Sequence, residues 1–142
     1  MNLKVKVFSV IFFTVIMLVS SIKLFDTYYF LPKTVLKINE LPKSTEIIES
    51  GNNASIGTQL FVNQWLFGIS TEQLPIILSG HQYLSCTGVS KGYIVADTLQ
   101  RHKKFFYSNC YEFKDDSSNI RPLTRIFTNS TNTELLVEYQ TD

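Results

Sequence analysis

Metal ligands and catalytic signatures are scarce in this sequence. It holds two cysteines and two histidines in 142 residues. There is no Cys-x-x-Cys, and neither His81 nor His102 falls at ligand spacing, so no metal site is expected. No Gly-x-Ser-x-Gly elbow, P-loop or dinucleotide fingerprint occurs, and no cofactor is expected. Strong charge is missing as well. The formal net charge is +1, and without Lys4 and Lys6 the remainder is nearly neutral. Such a chain has no field that draws in nucleic acid, and nothing that favours cationic binding to a membrane surface. Internal repeats and low-complexity tracts are absent.

What is present begins at the N-terminus. Lys4 and Lys6 precede an uncharged run over 7–22, VFSVIFFTVIMLVSSI, followed by Lys23. A short basic start before an apolar core is an export signal. Lys and Arg stay on the cytoplasmic side, so everything after about residue 25 is expected outside the cytoplasm, in the periplasm. Two fates fit this run. A membrane-spanning helix needs roughly 20 apolar residues and a cleaved signal core about 7–15, and the run falls between them. Val19-Ser20-Ser21 is a passable cleavage site without alanine. Against cleavage, apolar character resumes at Leu24 and Phe25, and Lys23 can snorkel to the interface. Tyr28, Tyr29 and Phe30 then sit where an aromatic belt lies. A retained inner-membrane anchor through residues 7–25 is the preferred reading, with a cleaved signal as the alternative.

The expected organisation is an anchor or signal over 1–25, a membrane-proximal stem over 26–33, and one domain over 34–142. The domain is expected to be mainly β, or α+β, built on a small antiparallel sheet. Pro32 is expected to stop the leader helix. Residues 34–38 alternate weakly and predict a first strand, and 44–50 a short helix capped by Ser44 with Ile47 and Ile48 inward. Residues 50–57, SGNNASIG, read as a polar loop. The segment 58–67 fits neither the strand nor the helix period. Ser70 to Glu72 opens a short helical turn, and Ser79-Gly80 marks a turn. Strands are expected at 82–86, 93–96, 104–113, 123–128 and 134–140, each rich in branched or aromatic residues. Residues 104–113 carry bulk on both faces and read as one central strand.

Cys86 and Cys110 are an even pair in an exported domain and are expected to form a disulfide. The loop it closes is about 25 residues, worth roughly 3 kcal/mol.

No group of residues points to catalysis. His81 follows Gly80 in a turn, and His102 lies in the basic cluster RHKK over 101–104. Asp97, Glu112, Asp115 and Asp116 are the acids available for a glycosidase pair, but Asp115-Asp116 belongs to a turn-like KDDSSN loop. The chain is not expected to be an enzyme. Binding is the better reading. With 11 Phe, 7 Tyr and one Trp, most aromatics belong to the core, while Tyr is also a common interface anchor. Tyr93, Tyr107 and Tyr111 are the candidate partner contacts. Arg101 and Lys103 are candidates for meeting an acidic patch.

The layout is a basic stub, one apolar span and a domain of about 117 residues carrying Cys86 and Cys110. It resembles immunity proteins that protect bacteriocin producers against toxins acting in the periplasm. That resemblance implies a protein toxin of muramidase type as partner, inhibited by occlusion of its substrate cleft. Ser79-Gly80 and Tyr107-Ser108-Asn109 are similar to short loops of periplasmic lysozyme inhibitors, in a different order and spacing. The same layout also resembles small anchored partners of membrane-bound transcription activators, which is the alternative reading.

Overall fold

The computed structural model of the chain describes residues 3–54, 61–87, 89, 92–99 and 103–141. It divides into two compact units, Met1–Glu40 and Leu41–Asp142.

The first unit is helical. Helix α1 spans Leu3–Phe25 and continues directly into a π-helical segment, Asp26–Leu36. Phe8, Phe12, Phe13, Met17 and Leu18 are all exposed, so α1 is apolar around its whole circumference. Thr14 and Ser21 donate to the carbonyls of Val10 and Met17, each at 2.8 Å, which hides the two hydroxyls. Residues Val5–Leu36 form a helix long and apolar enough to cross a membrane, with a mean hydropathy of 2.3 in its most apolar 18-residue window. Pro32 does not stop this helix. The wider π-turn relieves the clash that a proline ring makes with the preceding turn of an α-helix. The helix ends at Lys37, which takes a left-handed φ of 55°, while the Ile38 N–H bonds back to the Pro32 carbonyl. The strand expected at 34–38 is therefore the end of a helix.

The second unit is built on a six-stranded antiparallel sheet in the order β1-β2-β8-β7-β6-β3, with a separate ribbon β4-β5. The strands are β1 Glu46–Ala54, β2 Phe61–Gly68, β3 Leu84–Ser85, β4 Gly92–Ala96, β5 Lys103–Tyr107, β6 Asn109–Lys114, β7 Leu123–Thr128 and β8 Glu134–Thr141. The expected antiparallel architecture is present, with three local differences. Residues 44–50 enter β1 instead of a helix. The adjacent Ile47 and Ile48, which suggested a helical face, straddle a bulge between Ile47 and Glu49, and Ile48 is exposed. The expected polar loop begins as strand through Ala54, and its remainder lies outside the described residues. The single strand expected at 104–113 is two strands in two sheets, broken at Ser108.

Strand β2 shows why 58–67 matched no period: both of its faces are buried. Trp65 and Phe67 share one face of the sheet with Val137, Leu135 and Ile126, all essentially inaccessible. Leu66, Leu136 and Phe127 form the opposite row, and the β4-β5 ribbon covers it with Ala96, Leu99, Phe105 and Tyr107. Ser70 and Gln73 form a capping box that starts a short helical stretch ending in α2, Leu74–Leu78. The buried Gln73 amide also donates to Ser44.

Beside the apolar row runs a polar one. Gly51, Gln64, Glu138, Arg125 and Glu112 are directly opposed across β1, β2, β8, β7 and β6. Gln64 Nε2 donates to Glu138 Oε2 at 2.8 Å. Arg125 lies between Glu138, at 3.7 Å, and Glu112, at 3.5 Å. Thr98, in the turn after β4, donates its N–H and hydroxyl to Gln64 Oε1 at 3.2 and 2.7 Å.

That turn sits so close to β1 that a Cβ on Gly51 would lie 2.0 Å from the Thr98 carbonyl oxygen. Gly51→Ala is expected to push the turn off the sheet and destabilise the unit by about 1–3 kcal/mol. Urea unfolding checks this, and an unchanged midpoint would refute the close packing.

Candidate protein-binding surface

The β4-β5 ribbon has an inner and an outer face, fixed by strand alternation. The register pairs Ile94 with Phe105 and Gly92 with Tyr107 on the inner face. It pairs Tyr93 with Phe106, and Val95 with Lys104, on the outer face. Tyr93 is 52% exposed and Phe106 69%. Their rings lie 5.7 Å apart, and the Lys104 ammonium sits 4.9 Å from the centre of the Tyr93 ring. An aromatic pair with a cation over one ring gives the mix of apolar area and charge common in interface anchors.

Among the described residues the ribbon shares no strand pairing with the large sheet, and other contacts fix its position. Tyr107 packs on Phe127 with ring centres 5.0 Å apart. Thr98 is bonded to Gln64. The third contact is the Cys86–Cys110 disulfide, with Cα atoms 5.4 Å apart. Cys110 is the second residue of β6 and Cys86 follows β3, so the cross-link closes the loop that carries the whole ribbon.

The three candidate tyrosines do not share one surface. Tyr93 lies at the centre of the exposed face. Tyr107 is a core residue, only 8% exposed, and is not part of the outer face. Tyr111 is half-buried and opposes Ile126, on the far face of the large sheet. Arg101 lies outside the described residues, as does the side chain of Lys103. Two residues outside those five complete the face, Phe106 and Lys104, the latter the last residue of the basic cluster over 101–104. Their signal was the alternation of 104–107, which separates Lys104 and Phe106 from Phe105 and Tyr107 but does not say which pair is covered.

His102 lies outside the described residues, and the other candidates have structural partners. His81 stacks on Phe113 at 3.9 Å and meets the edge of Tyr83 at 5.4 Å. The Tyr83 hydroxyl is buried without a hydrogen bond, and burial raises its pKa. Burial also raises the pKa of Tyr139, with a smaller contribution from the Asp115 charge. Glu112 pairs with Arg125, and Asp116 lies 3.5 Å from Lys114. Asp115 accepts the Ser117 N–H in its turn. Among the described residues no group of three or more His, Cys, Asp or Glu is arranged to hold a metal ion.

No family model, curated protein or solved structure matches the chain. Any functional reading rests on the surface just described.

Proposed function

We propose that this chain is a membrane-tethered periplasmic binding protein that neutralises a bacteriocin acting in the periplasm. Its partner in this reading is a muramidase of the pesticin type, held by the outer face of the β4-β5 ribbon. The observation that carries the reading is the exposed Tyr93, Phe106 and Lys104 on a ribbon fixed by a disulfide. An anchor of two rings and an ammonium on a rigid support loses little side-chain entropy on docking. The apolar helix Val5–Leu36 and the disulfide support the same placement, since disulfides persist in oxidising compartments. Inhibition is by occlusion: a domain docked over the toxin's cleft keeps out its substrate and requires no chemistry of its own.

The test is survival. Bacteria sensitive to a pesticin-type muramidase are challenged while expressing the full chain, or a form lacking residues 1–25. Protection by the exported form alone is expected. Tyr93→Ala combined with Phe106→Ala should weaken toxin binding by at least tenfold, since truncated anchors cost about 2 kcal/mol or more. Absence of protection by well-expressed, oxidised chain would refute the reading and favour a partner of a membrane-bound transcription activator.

A further inference from the structure

We propose that the partner docks by adding an extended strand to the free edge of β5. This rests on the protein-binding reading and names how the partner is held.

The first observation is a hollow of about 340 Å³ whose lining includes four consecutive residues of β5, from Lys104 to Tyr107, followed by Ser108. Successive side chains of a strand point to opposite faces. Four in a row can share one hollow only where it runs along the strand's edge. Leu66 lines it from the large sheet, and Asn129, Ser130 and Glu134 line it from the β7-β8 connection.

The second observation is the direction of the backbone groups. The Ser108 N–H donates to the Thr128 carbonyl at 2.8 Å, away from β4. Residues two apart along a strand turn their N–H and C=O the same way. Phe106 and Lys104 therefore direct theirs toward the hollow. Among the described strands, β5 pairs only with β4, so these groups meet no strand on that side. The edge over 104–108 is about 16 Å long at roughly 3.3 Å per residue, which fits an extended segment of four or five residues.

The third observation concerns side chains. Leu66 favours apolar residues on alternate positions of the incoming strand. Phe106 is exposed on the ribbon's other face and widens the apolar contact. Lys104 calls for an acidic residue beside it, and the sequence places three further basic or titratable residues, Arg101, His102 and Lys103, immediately before it. The edge is also continuous with the Tyr93 and Phe106 face, so one partner can use both. On the large sheet the long edge strand, β1, is less suited to the same role. It is interrupted by a bulge and carries Glu46 and Glu49, devices that discourage edge pairing.

The test uses the full chain, isotope-labelled in lipid nanodiscs. The probe is a capped synthetic hexapeptide that alternates valine with threonine and has glutamate at its third position. With millimolar peptide, amide hydrogen exchange is expected to slow at least tenfold at Lys104 and Phe106 and to change little at Phe105. Ser130→Trp, which fills the hollow from an exposed turn position, should abolish the slowing. Intact protection elsewhere in that variant confirms that it folds, and Glu134→Lys is a second substitution at the hollow's rim. No slowing in the unmutated chain, or slowing confined to Glu46–Ala54, overturns the proposal. The muramidase separates the two inferences. Equal toxin binding by the unmutated chain and Ser130→Trp overturns the strand addition and leaves the proposed function standing. A toxin that does not bind the unmutated chain refutes the function, and the peptide result then decides the edge alone.

Discussion

Phe127→Ala is expected to destabilise the second unit by about 3–5 kcal/mol, the usual cost of emptying a buried phenylalanine site. Phe127 is 1% exposed and lies in the layer between the large sheet and the ribbon. On its own sheet it opposes Leu136 and Cys110, and across the layer it meets the Tyr107 ring. Among the described residues the ribbon has no ladder to the large sheet, and the side chains of this layer hold it in place. The loss should appear as a lower urea midpoint at unchanged slope, with faster exchange of the Phe105 and Tyr107 amides. Destabilisation below about 1 kcal/mol would contradict a ribbon held by this layer, since even small deletions in a packed core usually exceed that.

Cys86→Ser is the second large effect. The cross-link joins residues 24 apart in sequence, and loop-closure entropy gives it about 3 kcal/mol. For a domain whose total stability is of the order of 5–10 kcal/mol, this is a large fraction. The structure adds a local reason. Strand β3 pairs with β6 at only two positions, Leu84 with Glu112 and Ser85 with Tyr111. Without the disulfide, this end of the loop keeps only the Cys86 N–H bond to the Cys110 carbonyl at 3.1 Å and the long bonds of Thr87 to Glu112 at 3.5 and 3.4 Å. The variant should unfold at lower urea and protect cells less than the parent chain. Full protection with an unchanged midpoint would show that the disulfide is dispensable.

How far the sequence could be read depended on the physics of each segment. Strands β7 and β8 were legible because their branched and aromatic residues sit between clear polar turns. The expected strands at 123–128 and 134–140 match Leu123–Thr128 and Glu134–Thr141 closely. Strand β1 was not legible, since its bulge puts Ile47 and Ile48 side by side and imitates a helix. The break at Ser108 was hidden because no glycine or proline marks it. Pro32 misled for the opposite reason, as a strong breaker that a π-turn accommodates. At the candidate site, Tyr93 and Tyr107 looked alike in sequence. Only the docking of the ribbon on Phe127 turns one of them outward and buries the other.

The transverse row from Gly51 to Glu112 also acts as a set of alignment marks for the sheet. A slip of one residue turns a strand's side chains to the wrong face. A slip of two restores the faces and is harder to reject on hydrophobicity alone. In β7 and β8 it would set Glu138 opposite Phe127 or Leu123, and Arg125 opposite Leu136 or Gln140, instead of each other. The Arg125 side chain is 31% exposed and that of Glu138 11%, so separating the two charges costs an energy between the surface and the buried limits, about 1–3 kcal/mol. The misaligned ladder is thereby disfavoured once the ribbon covers the row, and the folded sheet keeps one offset.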